Sequence, residues 1–144
     1  MAPMLAEDDY KLDDQAGFLL RKAYQRHMTI FADFTLDGLT SMQFSTLYRL
    51  ATEPGPISQN ALGRLVAMDA ATTKGVVSRL IDRGLVESER DLIDKRRYIL
   101  RTTPAGREML AQMLPVMKQV TAETMKPLSD SERAQLMALL RKIS

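Results

Sequence analysis

The stretch DAATTKGVVSRLIDRGLVESERDLIDKRRYIL, Asp69–Leu100, decides the fold. It opens with a helix N-cap residue, Asp69, and Gly84 is placed to end the helix that follows. Between these two positions apolar residues recur at helical spacing: Val76, Val77, Leu80 and Ile81. Two short strands, Leu85–Arg90 and Tyr98–Thr102, then flank a seven-residue charged turn. This order predicts a short helix followed directly by a β-hairpin.

The outer face of the predicted helix carries side chains that suit a DNA major groove, which is about 12 Å wide. They are small, or long and flexible: Ala71, Thr72, Lys74, Gly75 and Ser78, with Thr73 at the edge of the face. Hydroxyl groups bond phosphates or base edges, and Lys74 and Arg79 are candidates for phosphate or guanine. The alternative interpretation is an ordinary amphipathic helix whose Thr and Ser side chains face water.

The predicted hairpin turn, Arg90–Arg97, places three consecutive cations beside two carboxylates. An Asp two residues before an Arg can accept its guanidinium and hold it extended, which favours a contact between Asp94 and Arg96. A preorganised Arg suits a narrow, electronegative minor groove. The turn is therefore a candidate DNA-contacting wing, although Lys95 and Arg97 taken individually also fit a solvated turn.

The residues before this stretch predict three more helices. The first runs from about Asp14 to Phe34, with an apolar stripe at helical spacing. A capping box, Thr40–Gln43, opens the second, and Glu53–Pro56 is a clear break. A minimal edge strand at Pro56–Ile57 precedes Ser58, which caps the third helix.

After the hairpin, Thr103–Pro104 predicts the start of a fifth helix that runs to about Lys126 and bends at Pro115. A second capping box, Ser129–Glu132, opens the last helix.

The predicted fold class is mainly α with a small β-hairpin wing (α+β): a winged helix-turn-helix with N- and C-terminal dimerisation helices. Four segments follow: a flexible acidic leader (1–13), a helix for dimerisation and the ligand cleft (14–36), a winged helix-turn-helix for DNA binding (37–103) and C-terminal dimerisation helices (104–144).

Composition narrows the function. The 144 residues include no Cys and one His, and they contain no Gly-rich phosphate loop and no HExxH spacing. We therefore expect no enzyme activity, no catalytic residues, no cofactor and no metal site. The sequence has no apolar window long enough to span a membrane, so we expect no membrane contact. Its acidic start is unlike a signal peptide, so the expected location is cytoplasmic. Nine Lys or Arg against six Asp or Glu between Ser58 and Arg101 make the centre basic, which suits a polyanion.

Three stretches make the chain resemble the MarR family of winged helix-turn-helix regulators over nearly its whole length. They are LTSMQFSTLYRL, ISQNALGRLVAMDAATTKGVVSRLIDRGLVESERDLIDKRRYILRTTPAG and PLSDSERAQLMALLRKI. The resemblance implies an obligate dimer, a pseudo-palindromic double-stranded operator, repression, and release by a small, often aromatic, anion. It also implies the DNA-binding residues, which are Ser58, Gln59, Asn60, Thr72, Thr73, Lys74, Ser78, Arg79, Asp94, Lys95 and Arg96. Gly75 within the helix and the apolar Ile93 in the wing depart from the family pattern.

A homodimer also has support from the residues themselves. The apolar stripes of the first, fifth and sixth helices exceed what one small winged core buries, and a two-fold mate would cover them. The alternative is a monomer with a larger intramolecular bundle. A winged helix that contacts only protein, without specific DNA binding, also remains open, as does a stress- or drug-responsive regulator of efflux genes.

An effector site is expected around His27, which lies on the apolar face of the first helix. A lone His there is often a satisfied core or interface residue; the functional alternative is that His27, with Arg21 or Tyr24, meets a carboxylate or phenol. The segment QRHMTIF resembles family members that respond to hydroxylated aromatic or pyridine carboxylates. Other candidates for the pocket, each of which also fits an ordinary core, are Met42, Phe44, Met113 and Met117.

Overall fold

A computed structural model describes residues 9–144 as six α-helices and one small antiparallel sheet. The fold class predicted from the sequence is confirmed. The elements in chain order are α1 (Ala16–Phe34), α2 (Ser41–Thr52), β1 (Ile57–Ser58), α3 (Gln59–Leu65), α4 (Ala70–Asp82), β2 (Val86–Arg90), β3 (Tyr98–Thr102), α5 (Pro104–Met125) and α6 (Asp130–Ile143).

Local capping explains why the helices begin where they do. In the predicted capping box of α2, the Gln43 N–H donates to Thr40 Oγ1 at 3.1 Å, and the Thr40 N–H donates to Gln43 Oε1 at 3.1 Å. The same reciprocal pair forms between Ser129 and Glu132 at the start of α6. The backbone amide of Ser129 lowers the pKa of the Glu132 carboxyl below its ordinary value, because that hydrogen bond favours the charged form. Each of these predicted helix starts is confirmed.

The end of α4 is set by Gly84, as predicted. Its φ of 73° lies in the left-handed region, and its N–H donates to Ile81 O at 2.9 Å. This turn leads the chain straight into β2. The first helix, in contrast, begins two residues later than predicted, because Leu12–Asp14 forms a separate 3-10 turn that ends at an extended Gln15. Residues 1–8 of the predicted leader lie outside the described residues.

The sheet has the strand order β1-β3-β2 and is antiparallel throughout. Val86 lies opposite Thr102 and Arg90 opposite Tyr98, so β2 and β3 form the predicted hairpin. The edge strand β1 is one residue later than predicted and pairs Ile57 with Leu100. The hairpin is thereby tied to the start of α3.

One apolar core holds the winged segment against α1 and α5. Most of its fully buried side chains come from α2, α3, α4 and α5, including Leu47, Leu62, Leu80, Met113 and Val120. Gly106 brings the first turn of α5 close to the chain before β2, since a Cβ there would lie 2.2 Å from Leu85 O. Pro115 lies inside the continuous helix α5.

Candidate nucleic-acid interface

The helix-turn-helix is formed by α3 and α4, and Thr73 holds the two helices together. Thr73 is 1% exposed, and its hydroxyl donates to Asp69 O at 2.7 Å. A Cβ added to Gly63 of α3 would lie 2.9 Å from Thr73 Oγ1, so the helices touch at this point. Thr73 was predicted at the edge of the DNA-facing side of α4; its side chain is part of the core, and the exposed face of α4 begins beside it.

The exposed face of α4 includes Ala71, Lys74, Gly75, Ser78 and Arg79. Thr72, also predicted here, is half-buried, and its N–H donates to Asp69 Oδ1 at 2.7 Å. That hydrogen bond lowers the pKa of the Asp69 carboxyl below its ordinary value of 3.8. The capped start of α4 is thus fixed, and it presents one short polar face with two cations.

The start of α3 holds the three remaining predicted residues of the helix-turn-helix. Ser58 Oγ accepts the N–H of Ala61 at 3.3 Å, so this hydroxyl serves as a helix cap. Asn60 is exposed and Gln59 is half-buried. Both line a groove of about 230 Å³ between the starts of α3 and α4, together with Arg64.

The wing contains the contact predicted between Asp94 and Arg96. Arg96 Nε and the Arg96 backbone N–H donate to the same oxygen, Asp94 Oδ1, at 3.3 and 3.1 Å. The Arg96 side chain is 93% exposed, so the ion pair contributes little to the stability of the fold. Its effect is to hold the guanidinium in one direction from the loop. Lys95, the third predicted wing residue, is exposed beside it.

Two contacts that sequence reasoning missed stiffen the sides of the wing. The Arg90 guanidinium lies 5.6 Å from the centre of the Tyr98 ring, and Arg90 Nη2 donates to Tyr98 Oη at 3.2 Å. Glu89 and Arg101 form an ion pair between the strands. Arg90 and Tyr98 are direct cross-strand neighbours, so the hairpin register was the signal that could have found them.

A third missed residue, Arg83, links the end of α4 to the turn between α1 and α2. Its Nη2 donates to Asp37 O at 2.8 Å, and its Nη1 donates to Gln43 Oε1 at 3.3 Å. Asp37 has a φ of 51°, so the accepting carbonyl belongs to a tight turn. Arg83 therefore joins the end of α4 to this turn through two hydrogen bonds.

Of the predicted effector residues, His27 and Tyr24 lie together on α1, with ring centres 6.2 Å apart. His27 Nδ1 is 2.8 Å from Thr124 Oγ1, which itself donates to Val120 O at 2.8 Å. The Thr124 hydroxyl has one hydrogen, so it accepts from His27, and Nδ1 carries the ring hydrogen. Within residues 9–144, His27 Nε2 then faces no hydrogen-bond partner.

The other predicted effector residues lie in several parts of the fold. Met113 is fully buried in the core, as the alternative interpretation for this residue expected. Phe44 lines a groove with Tyr48 and Leu65 on the far side of α2, and its ring stacks on Tyr48. The remaining three are an exposed Arg21, a Met42 that is 47% exposed and a half-buried Met117 that packs against the core.

A mostly apolar groove does lie where α1 meets α2. It measures about 250 Å³, and its lining includes Met28, Phe31, Thr35, Gly38 and Leu39. Gly38 and Leu39 follow the carbonyl that Arg83 binds. The groove therefore adjoins the turn that is linked to α4.

Other kinds of site have no support in the described part of the chain. Residues 9–144 contain no cluster of three or more His, Cys, Asp or Glu side chains that could hold a metal ion. None of the helices formed by those residues is long and apolar enough to cross a membrane.

The α3–α4 pair, the β2–β3 wing and the flanking helices define a winged helix-turn-helix protein. A MarR family model matches residues 37–97. The chain is 42% identical to the HTH-type transcriptional repressor NicR of Pseudomonas putida, over 93% of this chain and 85% of that protein. It therefore belongs to the MarR family, and it is a transcriptional regulator of that family.

Solved structures agree with this assignment. A probable transcriptional regulator from Pseudomonas aeruginosa is 46% identical, with a TM-score of 0.89 over 93% of this chain and all of that one. Bordetella bronchiseptica BpsR is 37% identical, with a TM-score of 0.88 over 94% of this chain and 97% of that chain. The BpsR structure concerns regulation of its DNA binding by 6-hydroxynicotinic acid.

Proposed function

We propose that this chain is a ligand-responsive repressor that acts in the cytoplasm as a homodimer on a pseudo-palindromic operator. The observation that carries the proposal is the pairing of an exposed cationic face on α4 with a preoriented Arg96 in the wing. The face brings Lys74 and Arg79 to a major groove, and the wing extends toward the adjacent minor groove. Two copies would present two such faces to half-sites about 34–36 Å apart.

The terminal helices support the homodimer. Within α6, whose residues are all described, no side chain is buried, and Leu139 and Ile143 are 59% and 71% exposed. On α1, Leu19 and Leu20 are 49% and 45% exposed. Apolar faces of this kind on helices at both ends of the chain fit a mate of the same chain. Size-exclusion chromatography with light scattering should give twice the chain mass, and a monomeric mass would contradict the proposal.

The effector we propose is a hydroxylated aromatic or pyridine carboxylate. Support comes from the His27 tautomer, which leaves Nε2 as an acceptor for a ligand hydroxyl, and from the apolar groove between α1 and α2. BpsR, with a structure that concerns 6-hydroxynicotinic acid, is similar to this chain over nearly its whole length. Arg21 and Tyr24, exposed on α1 near His27, are the proposed partners of the ligand carboxylate.

Release would follow from geometry. An operator accepts only dimers whose two α4 helices match successive major grooves. A ligand in the α1–α2 groove would move the turn that Arg83 binds, and thereby the end of α4. A ligand that binds the released conformation more tightly than the operator-competent one, by about 5.5 kcal/mol, would convert the population almost completely to the released conformation.

The test is a titration of the full-length protein, bound to a duplex that it selects from a randomised pool, with 6-hydroxynicotinate and 4-hydroxybenzoate. We expect at least one acid to lower duplex affinity at least fivefold, the lower end of ordinary coupling between sites, and to raise the melting temperature. Benzene, which lacks both the carboxylate and the hydroxyl, is the control. Unchanged affinity and melting temperature with every acid would contradict the effector proposal.

A further inference from the structure

Leu92 and Ile93 at the tip of the wing are the most exposed large apolar side chains of the described residues. They are 94% and 96% exposed, so neither contributes to the core. Single exposed apolar residues are ordinary on protein surfaces. Here two are adjacent, at the outermost turn of a hairpin, and three cations follow within four residues: Lys95, Arg96 and Arg97.

Hydrogen bonds hold this tip in a defined shape. Asp91 Oδ1 accepts the N–H of Ile93 at 2.9 Å, and Asp94 Oδ1 accepts the N–H of Arg96 at 3.1 Å. These are two successive Asx turns. The loop is closed at its base, where the Asp91 N–H donates to Arg97 O at 2.9 Å. One aspartate therefore shapes the apolar half of the loop, and the other shapes the cationic half.

The closed loop keeps the apolar pair and Arg96 within one short turn. Arg96 is three positions after Ile93, so their Cα atoms are at most about 11 Å apart. An Arg96 that enters a minor groove therefore brings Leu92 and Ile93 within reach of that groove or its edge. Leu and Ile are among the side chains that proteins insert into minor grooves. The cations beside them match the phosphates that border the groove.

We propose that Leu92 and Ile93 make an apolar contact with the operator minor groove beside Arg96, and that this contact favours A·T base pairs. The guanine 2-amino group projects into the minor groove, and no equivalent group is present in an A·T pair. A polar amino group against Leu92 or Ile93 would lose its water without gaining a hydrogen bond. The wing then selects sequence through two apolar side chains as well as through Arg96. This inference rests on the operator binding proposed above.

The first test compares three full-length variants with the wild type, on the duplex that the wild type selects from a randomised pool. Leu92→Ser/Ile93→Ser keeps both aspartates and so keeps the turns. It should bind roughly tenfold more weakly, because partial burial of two apolar side chains is lost. The slope of its log affinity against log salt should equal that of the wild type, because no phosphate contact is removed. Leu92→Met/Ile93→Val, which stays apolar, should retain wild-type affinity. Lys95→Ala, which removes a cation from the same loop, should make the salt dependence shallower.

The second test places a new amino group in the minor groove. Replacing one adenine at a time with 2,6-diaminopurine leaves the major-groove edge of the pair unchanged and adds a 2-amino group. At the positions under the wing, this substitution should weaken the wild type and Leu92→Met/Ile93→Val. Leu92→Ser/Ile93→Ser should be insensitive to it.

The outcomes separate this inference from the proposed function. If the wild type selects no duplex, operator binding and the wing contact both fail. If the wild type binds and Leu92→Ser/Ile93→Ser binds equally well, the wing contact alone is overturned. A weaker Leu92→Ser/Ile93→Ser variant with the shallower salt dependence of Lys95→Ala would also overturn it, because the loss would then come from the cations.

Discussion

At the scale of single residues, the interface depends on groups that are fixed before any partner arrives. Asp94 holds Arg96 through a side-chain and a backbone contact to one oxygen. Asp69 caps α4 at its first turn through Thr72. In both cases a short aspartate side chain fixes local geometry: Asp94 orients the exposed Arg96, and Asp69 fixes the first turn of α4. Substitutions of Asp94 or Arg96 should therefore change DNA binding more than they change folding, whereas a substitution of the cap Asp69 should change stability.

Arg96→Ala should weaken operator binding about tenfold, because a preoriented minor-groove contact is lost, while the melting temperature stays within about 1 °C of wild type. Fluorescence anisotropy with a labelled duplex and thermal unfolding measure the two effects. Arg141→Ala, at the exposed end of α6, is the matched control and should bind normally. Wild-type affinity in Arg96→Ala would remove the wing from the mechanism.

Gly75 makes α4 less stable than an alanine would, and no close neighbour among the described residues requires a glycine at this position. A Cβ there would meet no atom of residues 9–144 within 4 Å. Gly75→Ala should therefore stabilise the fold by about 1 kcal/mol and raise the melting temperature by roughly 3 °C. It should also weaken operator binding, because the missing side chain lets DNA approach the helix closely.

The control is Gly17→Ala, which adds a Cβ into similarly open space on α1. It should raise stability and leave operator affinity unchanged. Undiminished affinity in Gly75→Ala would mean that DNA does not approach α4 at this position.

The charge of Asp69 predicts an acid dependence of stability. The Thr72 N–H lowers the pKa of the Asp69 carboxyl below 3.8. A folded-state pKa below the unfolded value stabilises the fold above the unfolded pKa, and this stabilisation disappears as pH falls through the folded pKa. Wild type should therefore melt higher than Asp69→Asn near neutral pH, with a difference that shrinks as pH falls below about 3.8.

Thermal unfolding at a series of pH values measures this difference, with Asp33→Asn on α1 as an exposed control. A difference between wild type and Asp69→Asn that persists unchanged into strong acid would show that the Asp69 charge does not matter.

At the scale of elements, contacts between neighbours in the chain were predictable, and contacts across the fold were not. The capping boxes and the Gly84 stop involve residues within four positions, so residue type and spacing specify them. Thr73 was misplaced because its burial depends on how closely α3 crosses α4 at Gly63, which periodicity within one helix does not contain. Arg83 and Asp37 are 46 residues apart, and no local pattern joins them.

The Arg83 link predicts how α4 and the α1–α2 groove communicate. Arg83→Ala removes the hydrogen bonds to Asp37 and Gln43. Operator binding without effector should stay within about threefold of wild type, while the loss of affinity that an effector causes should shrink about tenfold, a typical coupling between sites.

Anisotropy titrations with and without a hydroxylated carboxylate measure this change in coupling. Arg107→Ala is a matched control, since Arg107 Nη1 also donates to a backbone carbonyl, Thr102 O at 3.0 Å, but outside the α1–α2 turn. An effector response in Arg83→Ala equal to that of wild type would rule out Arg83 as the link.

At the scale of the whole molecule, α1 is clamped to α5, and α6 continues from the end of α5. Arg26 donates to Thr124 O at 2.7 Å and to Glu123 O at 3.0 Å. Its neighbour His27 contacts the side chain of the same Thr124. The terminal helices thus form a platform on which the winged segment is carried. If two platforms join, the distance between the two α4 helices becomes a property of the dimer, and this distance is where an effector would act.

Binding of duplex DNA by the cationic face of α4 and the wing should show in the salt dependence of wild-type affinity. Log affinity for the selected duplex should fall steeply and linearly with log salt, because each neutralised phosphate releases counterions with a slope of about −0.9. Two wings and two α4 faces predict a slope of at least about −4. A flat salt response would contradict the account and favour a winged helix that contacts only protein.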